Sequence, residues 1–198
     1  VGLPTYDLDA QFSTASNPSG QWSYGETNGW GGAFTRFAAT SQFALSNNAT
    51  ASSWLGANLV AGTPVISHNN ASTAQCATPF LQLCFTASGT TFHPGVGSRV
   101  TTIRFTVPRA GTYSIDASFW GADKQPQNGT NVGMLINGVL SGAKLAIRTA
   151  DVEAANPQKI TATRTFAAGD VVDFSVDSNS EISNDTTGIK VLVQGLSF

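Results

Sequence analysis

The segment VTTIRFTV (Val100–Val107), with PRAG (Pro108–Gly111) and TYSIDASFW (Thr112–Trp120) behind it, decides the fold class. In the first stretch Ile103, Phe105 and Val107 share one face, and Arg104 and Thr106 take the other. In the second, Tyr113, Ile115, Ala117 and Phe119 line up opposite Ser114, Asp116, Ser118 and Trp120. A period of two marks a strand with one face in a core. Pro108 fixes φ and Gly111 is free to take positive φ, so the four residues between read as a turn. Together the three pieces predict a β-hairpin.

The same pattern continues outward. Val132–Ile136 is a short strand, closed by the tight-turn pair Asn137-Gly138. Ile160–Phe166 carries Thr at alternate positions, and Ala168-Gly169-Asp170 turns into Val171–Val176. There Val172, Phe174 and Val176 face one way, and the last strand, Gly188–Val193, aligns Ile189, Val191 and Val193. The first half is less regular. Tyr6–Phe12 reads as an opening strand, Gln21–Tyr24 as another, and Phe34–Phe37 with Gln42–Leu45 as a hairpin. Gly56–Thr91 reads as a loop-rich insertion holding one strand, Val65–Ser67, and Asp151–Asn156 as one helical turn closed by Pro157. No internal repeat or linker divides the chain, so residues 1–198 are expected to form a single all-β domain, an antiparallel two-sheet sandwich.

Composition narrows the partners. The chain has 10 basic and 12 acidic residues, a net charge of −2, and 23 Thr, 20 Ser, 13 Asn and 20 Gly. That leaves no basic surface to neutralise phosphates, which excludes nucleic acid as a partner. No run approaches the length of apolar residues that membrane insertion by a helix needs. Nineteen aromatic residues, 12 Phe, 4 Trp and 3 Tyr, supply a core and exclude disorder. Cys76 and Cys84, eight positions apart, fit neither a redox C-x-x-C pair nor a common zinc motif. A disulfide closing the irregular insertion is the favoured reading, with two free thiols as the alternative, and it implies a secreted, oxidising setting. Val1–Pro4 lacks the basic and apolar regions of a signal peptide, so the chain reads as mature or as an excised module. N-x-S/T matches at Asn48, Asn70, Asn128 and Asn184 arise readily by chance in a chain so rich in Asn and Thr.

Three groups of residues carry a resemblance. They are D-x-x-F-S-x-x-x-N-P-x-G-x-W-S-Y-G (Asp9–Gly25), F-H-P-G (Phe92–Gly95), and the run from Val107-Pro108 through Ile136-Asn137-Gly138 to Ala168-Gly169-Asp170 and Phe174. Over about residues 5–198 they resemble a β-jelly-roll module of secreted bacterial proteins, similar in arrangement to β-sandwich carbohydrate-binding modules. The N-P-x-G-x-W-S-Y-G and H-P-G parts are the specific ones. The resemblance implies a jelly roll, a carbohydrate partner, and other modules of a larger secreted protein as neighbours.

Candidate ligand residues follow from sugar chemistry. Apolar C–H faces stack on aromatic rings, and hydroxyls need amide and carboxylate partners. Trp30 among Gly29, Gly31 and Gly32, Trp54 in a Ser/Ala/Asn stretch, and Trp120 on the non-core face beside Asp123 are the candidate platforms. Trp22 and Tyr24 read as core. His68 with Asn69, and His93, are candidate hydrogen-bonding groups, against plain loop or turn-fixing roles. No cofactor is required. A structural Ca²⁺ is the one ion the acids suit, with Asp7, Asp9 and Asp185 as weak ligand candidates; Asp7 and Asp9 share a strand face in this reading. Asp173 and Asp177 also share a face. No catalytic motif is present; Asp116, facing away from the core in mid-strand with Asp123 nearby, is a candidate acid, and a non-enzyme is expected. The leading function is non-catalytic recognition of a neutral glycan. The alternative is a structural or adhesive jelly roll, such as a trimeric complement-head or tumour-necrosis-factor-like assembly.

Overall fold

The computed structural model describes residues 2–60, 63–78, 82–124, 128–148 and 154–198, with 58–60 described by backbone only. The strands begin with β1 (Thr5–Asp7), β2 (Trp22–Asn28), β3 (Phe34–Arg36), β4 (Ala39–Ala44), β5 (Thr50–Val60) and β6 (Thr63–Asn69). They continue with β7 (Gln75–Cys76), β8 (Cys84–Phe85), β9 (Thr90–His93), β10 (Arg99–Thr106), β11 (Gly111–Gly121) and β12 (Thr130–Ile136). The last are β13 (Val139–Leu140), β14 (Leu145–Ile147), β15 (Gln158–Phe166), β16 (Val171–Asp177) and β17 (Thr187–Ser197). One sheet runs β15-β11-β17-β9-β6-β5-β4 with β1 on β17, and the other runs β13-β12-β16-β10-β2-β3 with β14 on β12. Every pairing in both sheets is antiparallel. This is an all-β jelly-roll sandwich.

The alternation read from the sequence sets the core. Ile103, Phe105, Tyr113, Ile115, Ala117, Phe119, Val172, Phe174, Val176, Ile189, Val191 and Val193 all meet between the sheets. Trp22 and Tyr24 join them, fully buried. Burying one such side chain contributes about 1.5–3 kcal/mol, so these inward rows dominate the stability of the fold.

Three expectations are corrected. The opening strand stops at Asp7, where the carboxylate accepts from the Asp9 and Ala10 amides (2.9 and 3.3 Å) and caps a short helix, α1 (Leu8–Gln11). A side-chain cap that satisfies two amides favours helix over a continued strand. Phe34–Phe37 and Gln42–Leu45 do not pair: β3 pairs with β2 in one sheet and β4 with β5 in the other. The stretch 56–91 holds more than the one strand expected: the end of β5, all of β6 and the start of β9 lie side by side in it, and the loop-rich part is narrowed to about residues 70–89. Of the expected helical turn, residues 151–153 lie outside the described residues.

The excursion is a small hairpin, β7–β8, whose opposed Cys76 and Cys84 form a disulfide. It packs a satellite core of Leu45, Ala51 and Phe85 and hydrogen-bonds back through Cys84 N to Ala122 O (3.0 Å). Non-reducing mass analysis is expected to recover the two cysteine peptides linked; two alkylatable thiols in the native protein would overturn the pairing.

Candidate functional site

Several predicted contact residues turn inward. Trp54 lies in β5, only 5 % exposed, with its ring stacked 6.2 Å from Tyr24 and Nε1 donating to Ser13 O (2.9 Å). The Ser/Ala/Asn stretch around it is a central strand, and alternation points the indole into the core. Asn69 is fully buried: Nδ2 donates to Thr73 O and Thr86 O, and Oδ1 accepts from Ala71 N. Its whole hydrogen-bonding capacity ties down the excursion. His93 is buried and holds its turn through Nδ1 and Pro94 O (2.8 Å), the turn-fixing role; burial pulls its pKa down. His68 stacks on Phe12 and bonds Thr90 Oγ1 (3.0 Å), and burial lowers its pKa to about 4. Asp123 is buried and accepts from Thr186 N (2.7 Å).

Trp120 is 6 % exposed, because the disulfide hairpin covers the face that local alternation left outward. Its indole lies on Gly188, where a Cβ would come within 2.1 Å of Cε2. Cys76, Cys84, Phe85 and Trp120 line a cavity of about 570 Å³ whose walls are mainly apolar. The weak metal candidates do not converge either. Asp7 pairs opposite Leu192 in β17, whereas Asp185 precedes the start of that strand. Asp9 sits in α1 instead of sharing a strand face with Asp7, and burial raises its pKa to about 6.

Trp30 alone among the predicted platforms lines a polar cleft. The cleft, about 400 Å³, lies at one end of the sandwich between Gly29 and Trp30, the turn at Gly97 and Ser98, and Asp177–Ser180, with Asn131 of β12 on one wall. Glycine and asparagine turns build it: Gly29, Gly31, Gly97 and Asn179 have positive φ, which L-residues with larger side chains rarely adopt. The Trp30 ring rests on β12 at Gly133, where a Cβ would approach Cζ3 to 2.8 Å. Nε1 donates to Asp177 Oδ2 (2.6 Å), and Lys144 Nζ lies 4.1 Å from the ring centroid. Asp177 Oδ1 accepts from Asn131 Nδ2 (2.8 Å) and Asn179 N (3.1 Å). Burial works to raise the Asp177 pKa. The bonds from Trp30, Asn131 and Asn179, with the Lys144 charge, outweigh it and hold the group below the ordinary carboxylate value. The carboxylate is therefore an ionised anchor that fixes the indole and two amides around an open, hydroxyl-lined cleft.

The functional sequence signals for Asp177 and Asn131 were weak. The shared face of Asp173 and Asp177 was legible, and Asp173 turns out to pair bidentately with Arg104 (2.7 and 2.9 Å) as a structural bridge. No motif linked Asp177 to Trp30, 147 positions away.

No family model matches the chain, and no curated protein matches it. Among solved structures, a family 35 carbohydrate-binding module from Clostridium thermocellum aligns over 79 % of this chain and 98 % of its own, at 9 % identity and a TM-score of 0.34. The C-terminal family 6 carbohydrate-binding module of a marine laminarinase from Zobellia galactanivorans aligns over 96 % and 99 %, at 10 % identity and a TM-score of 0.34. Rabbit GITRL aligns over 44 % and 68 %, at 16 % identity and a TM-score of 0.30. Likenesses this distant leave the function to the chain's own residues. Among the described residues, no helix is long and apolar enough to cross a membrane.

Proposed function

We propose that the protein is a secreted, non-catalytic carbohydrate-binding module that holds a neutral glycan in the Trp30 cleft. The observation that carries this reading is an indole fixed by an ionised carboxylate at the wall of an open cleft lined by amides and hydroxyls. A pyranose presents C–H groups to an aromatic ring and hydroxyls to Ser, Asn and backbone groups around it, and this cleft offers both kinds of partner. Lys144, exposed, seated over the ring and 3.4 Å from Asp177 Oδ2, is a cation at the cleft; it bonds a sugar hydroxyl once moved aside by a stacked ring. Hydroxyl contacts largely exchange with water, so single-site affinity is weak.

A neutral-glycan array, followed by affinity electrophoresis on the polysaccharides it selects, tests the reading. Trp30→Ala is expected to weaken binding at least about tenfold, the loss of roughly 1.4 kcal/mol, while Trp120→Phe leaves it unchanged. A silent array, or binding untouched by Trp30→Ala, counts against the site. The structural alternative draws on exposed Leu192, Leu196 and Phe198 at 37, 41 and 43 %. Sedimentation reporting a trimer alongside a silent array would favour it.

A further inference from the structure

β4 is the outermost strand of the larger sheet and pairs with β5 on one side only. The register along β5 is unbroken, from Ala39 opposite Leu55 to Ala44 opposite Thr50. In an antiparallel strand the N–H and C=O of one residue point to the same side, and successive residues alternate. Two bonds fix the phase. Leu45 N donates to Ala49 O (2.8 Å) on the β5 side, and Ala44 O accepts from Thr78 N (3.2 Å) on the opposite side. Thr40 and Gln42 therefore turn both of their backbone groups away from β5. Both residues, and Ser41 between them, are exposed, and among the described residues nothing pairs with those four groups.

The open stretch has fixed ends. At one end Phe37 N donates to Tyr24 O (2.9 Å) and Phe37 O accepts from Asn17 Nδ2 (2.9 Å), where the chain leaves the smaller sheet. At the other end Thr78 covers Ala44. What is left is A-T-S-Q-F (Ala39–Phe43), centred on Ser41. Sheet edges are normally guarded by charge, proline, a bulge or shortness. At the far edge of the same sheet β15 carries Lys159 and Arg164. In the other sheet β3 has three residues and ends in Arg36, and β13 has two. β4 has none of these guards.

We propose that Ala39–Phe43 is a pairing edge for a second copy of this chain, the two β4 strands running antiparallel about a twofold axis at Ser41. The register follows from the bonding groups. With Ser41 opposite the partner's Ser41, Thr40 faces the partner's Gln42, and Gln42 faces the partner's Thr40. Each pair exchanges two bonds, so all four outward groups of each chain are used and none is left over. In the closer, non-hydrogen-bonded pairs the half-buried Phe43 meets the partner's Ala39, a large side chain against a small one. A twofold interface sets one patch against itself, and an uncharged strand meets its own copy without repulsion. The open stretch and its self-pairing register share one centre, which favours a second copy over a foreign strand. Each bond contributes modestly and the patch is small, so the dimer is weak and concentration-dependent. The inference rests on β4 alone and stands apart from the glycan reading.

Sedimentation equilibrium of the whole chain tests it, from about 10 µM to 1 mM, a range that reaches the affinities of small interfaces. The mass is expected to rise from one chain toward two and to stop there, because a twofold interface closes. Amide exchange into D₂O locates the contact. The Thr40 and Gln42 amides are expected to exchange at least about tenfold more slowly at the high concentration, while Ser41 and Phe43, bonded to β5, stay unchanged. Thr40→Pro removes an amide hydrogen that the monomer does not use, a position where edge strands tolerate proline. It is expected to weaken pairing at least about tenfold and to leave thermal unfolding of the dilute protein unchanged. Ser41→Lys sets like charges opposite each other at the axis and has the same effect without altering the backbone. Lys159→Ala, on the far edge, leaves the dimer intact. A chain that stays monomeric throughout, a mass that climbs past two chains, or a dimer that survives Ser41→Lys overturns the proposal.

Discussion

Trp54→Ala is expected to cost about 3–5 kcal/mol of folding stability, the range for truncating a buried large aromatic. The indole joins the two sheets: it belongs to β5 of the larger sheet and stacks on Tyr24 of β2 in the other. Removing it opens a cavity in a close-packed interior and abolishes an aromatic contact worth about 0.5–1.5 kcal/mol. It also leaves Ser13 O without the donor it has at 2.9 Å. Urea unfolding of the variant beside the wild type reads the loss as a lower midpoint. Trp30→Ala, at the half-buried rim of the sandwich, is expected to lose less, about 1–2 kcal/mol. A Trp54→Ala protein of near-wild-type stability that no longer bound a glycan would restore Trp54 as a ligand platform.

The second large effect is hidden in the wild type and exposed by single variants. Asp9 has its pKa raised to about 6, first by burial. The folded chain therefore keeps a proton that the unfolded chain has lost between about pH 4 and 6. Stability contributed by that proton falls as pH rises through this window. His68 has its pKa lowered to about 4 by burial. Here the unfolded chain holds the extra proton, so stability rises with pH from about 4 to 6.5. The two slopes oppose each other, and both residues meet Thr90. A two-unit shift corresponds to about 2.7 kcal/mol; the partly open His68 ring reduces its share to about 2 kcal/mol. Relative to the wild type, Asp9→Asn is expected to gain about 2–3 kcal/mol between pH 4 and 7. His68→Gln is expected to lose about 2 kcal/mol over the same range. Comparing variants with the wild type cancels Asp185, which burial first and then the Glu181 and Asp123 charges raise to about 7. Urea midpoints at pH 4, 5, 6 and 7 measure both differences; slopes of equal sign would refute the assignment.

Much of the sandwich was legible because strand alternation is a local property. Tyr113, Ile115, Ala117 and Phe119 are two residues apart, and a strand must put them on one face whatever it pairs with. The same rule identified the inward rows of β10, β16 and β17. It failed where a side chain changed the local backbone: Asp7 capped a helix and ended the strand read through Phe12. It failed again where hydroxyl-rich strands looked like loop, as in β5 and β6, because Ser and Thr serve both sheet and turn.

The candidate site was less legible, since exposure and convergence are not local. Trp30, Trp54 and Trp120 all stand among small or polar neighbours, which gave them similar standing as platforms. Sheet pairing turned Trp54 inward, the disulfide hairpin covered Trp120, and only Trp30 was left at a polar cleft. Asn69 and His93 kept polar partners, but those partners are the backbone of their own loops.

By itself the sequence determined an all-β chain, the rows of side chains that fill its core, and a surface with little charge for an ionic partner. Period-two alternation and composition need only neighbouring residues to be read. The tertiary structure decided which strands lie side by side, which tryptophan lines a cleft, and that Asp177 would anchor it. It also placed Asp185 where its oxygens meet no donor. Those outcomes depend on residues far apart in the chain, brought together only when the two sheets close over a common core.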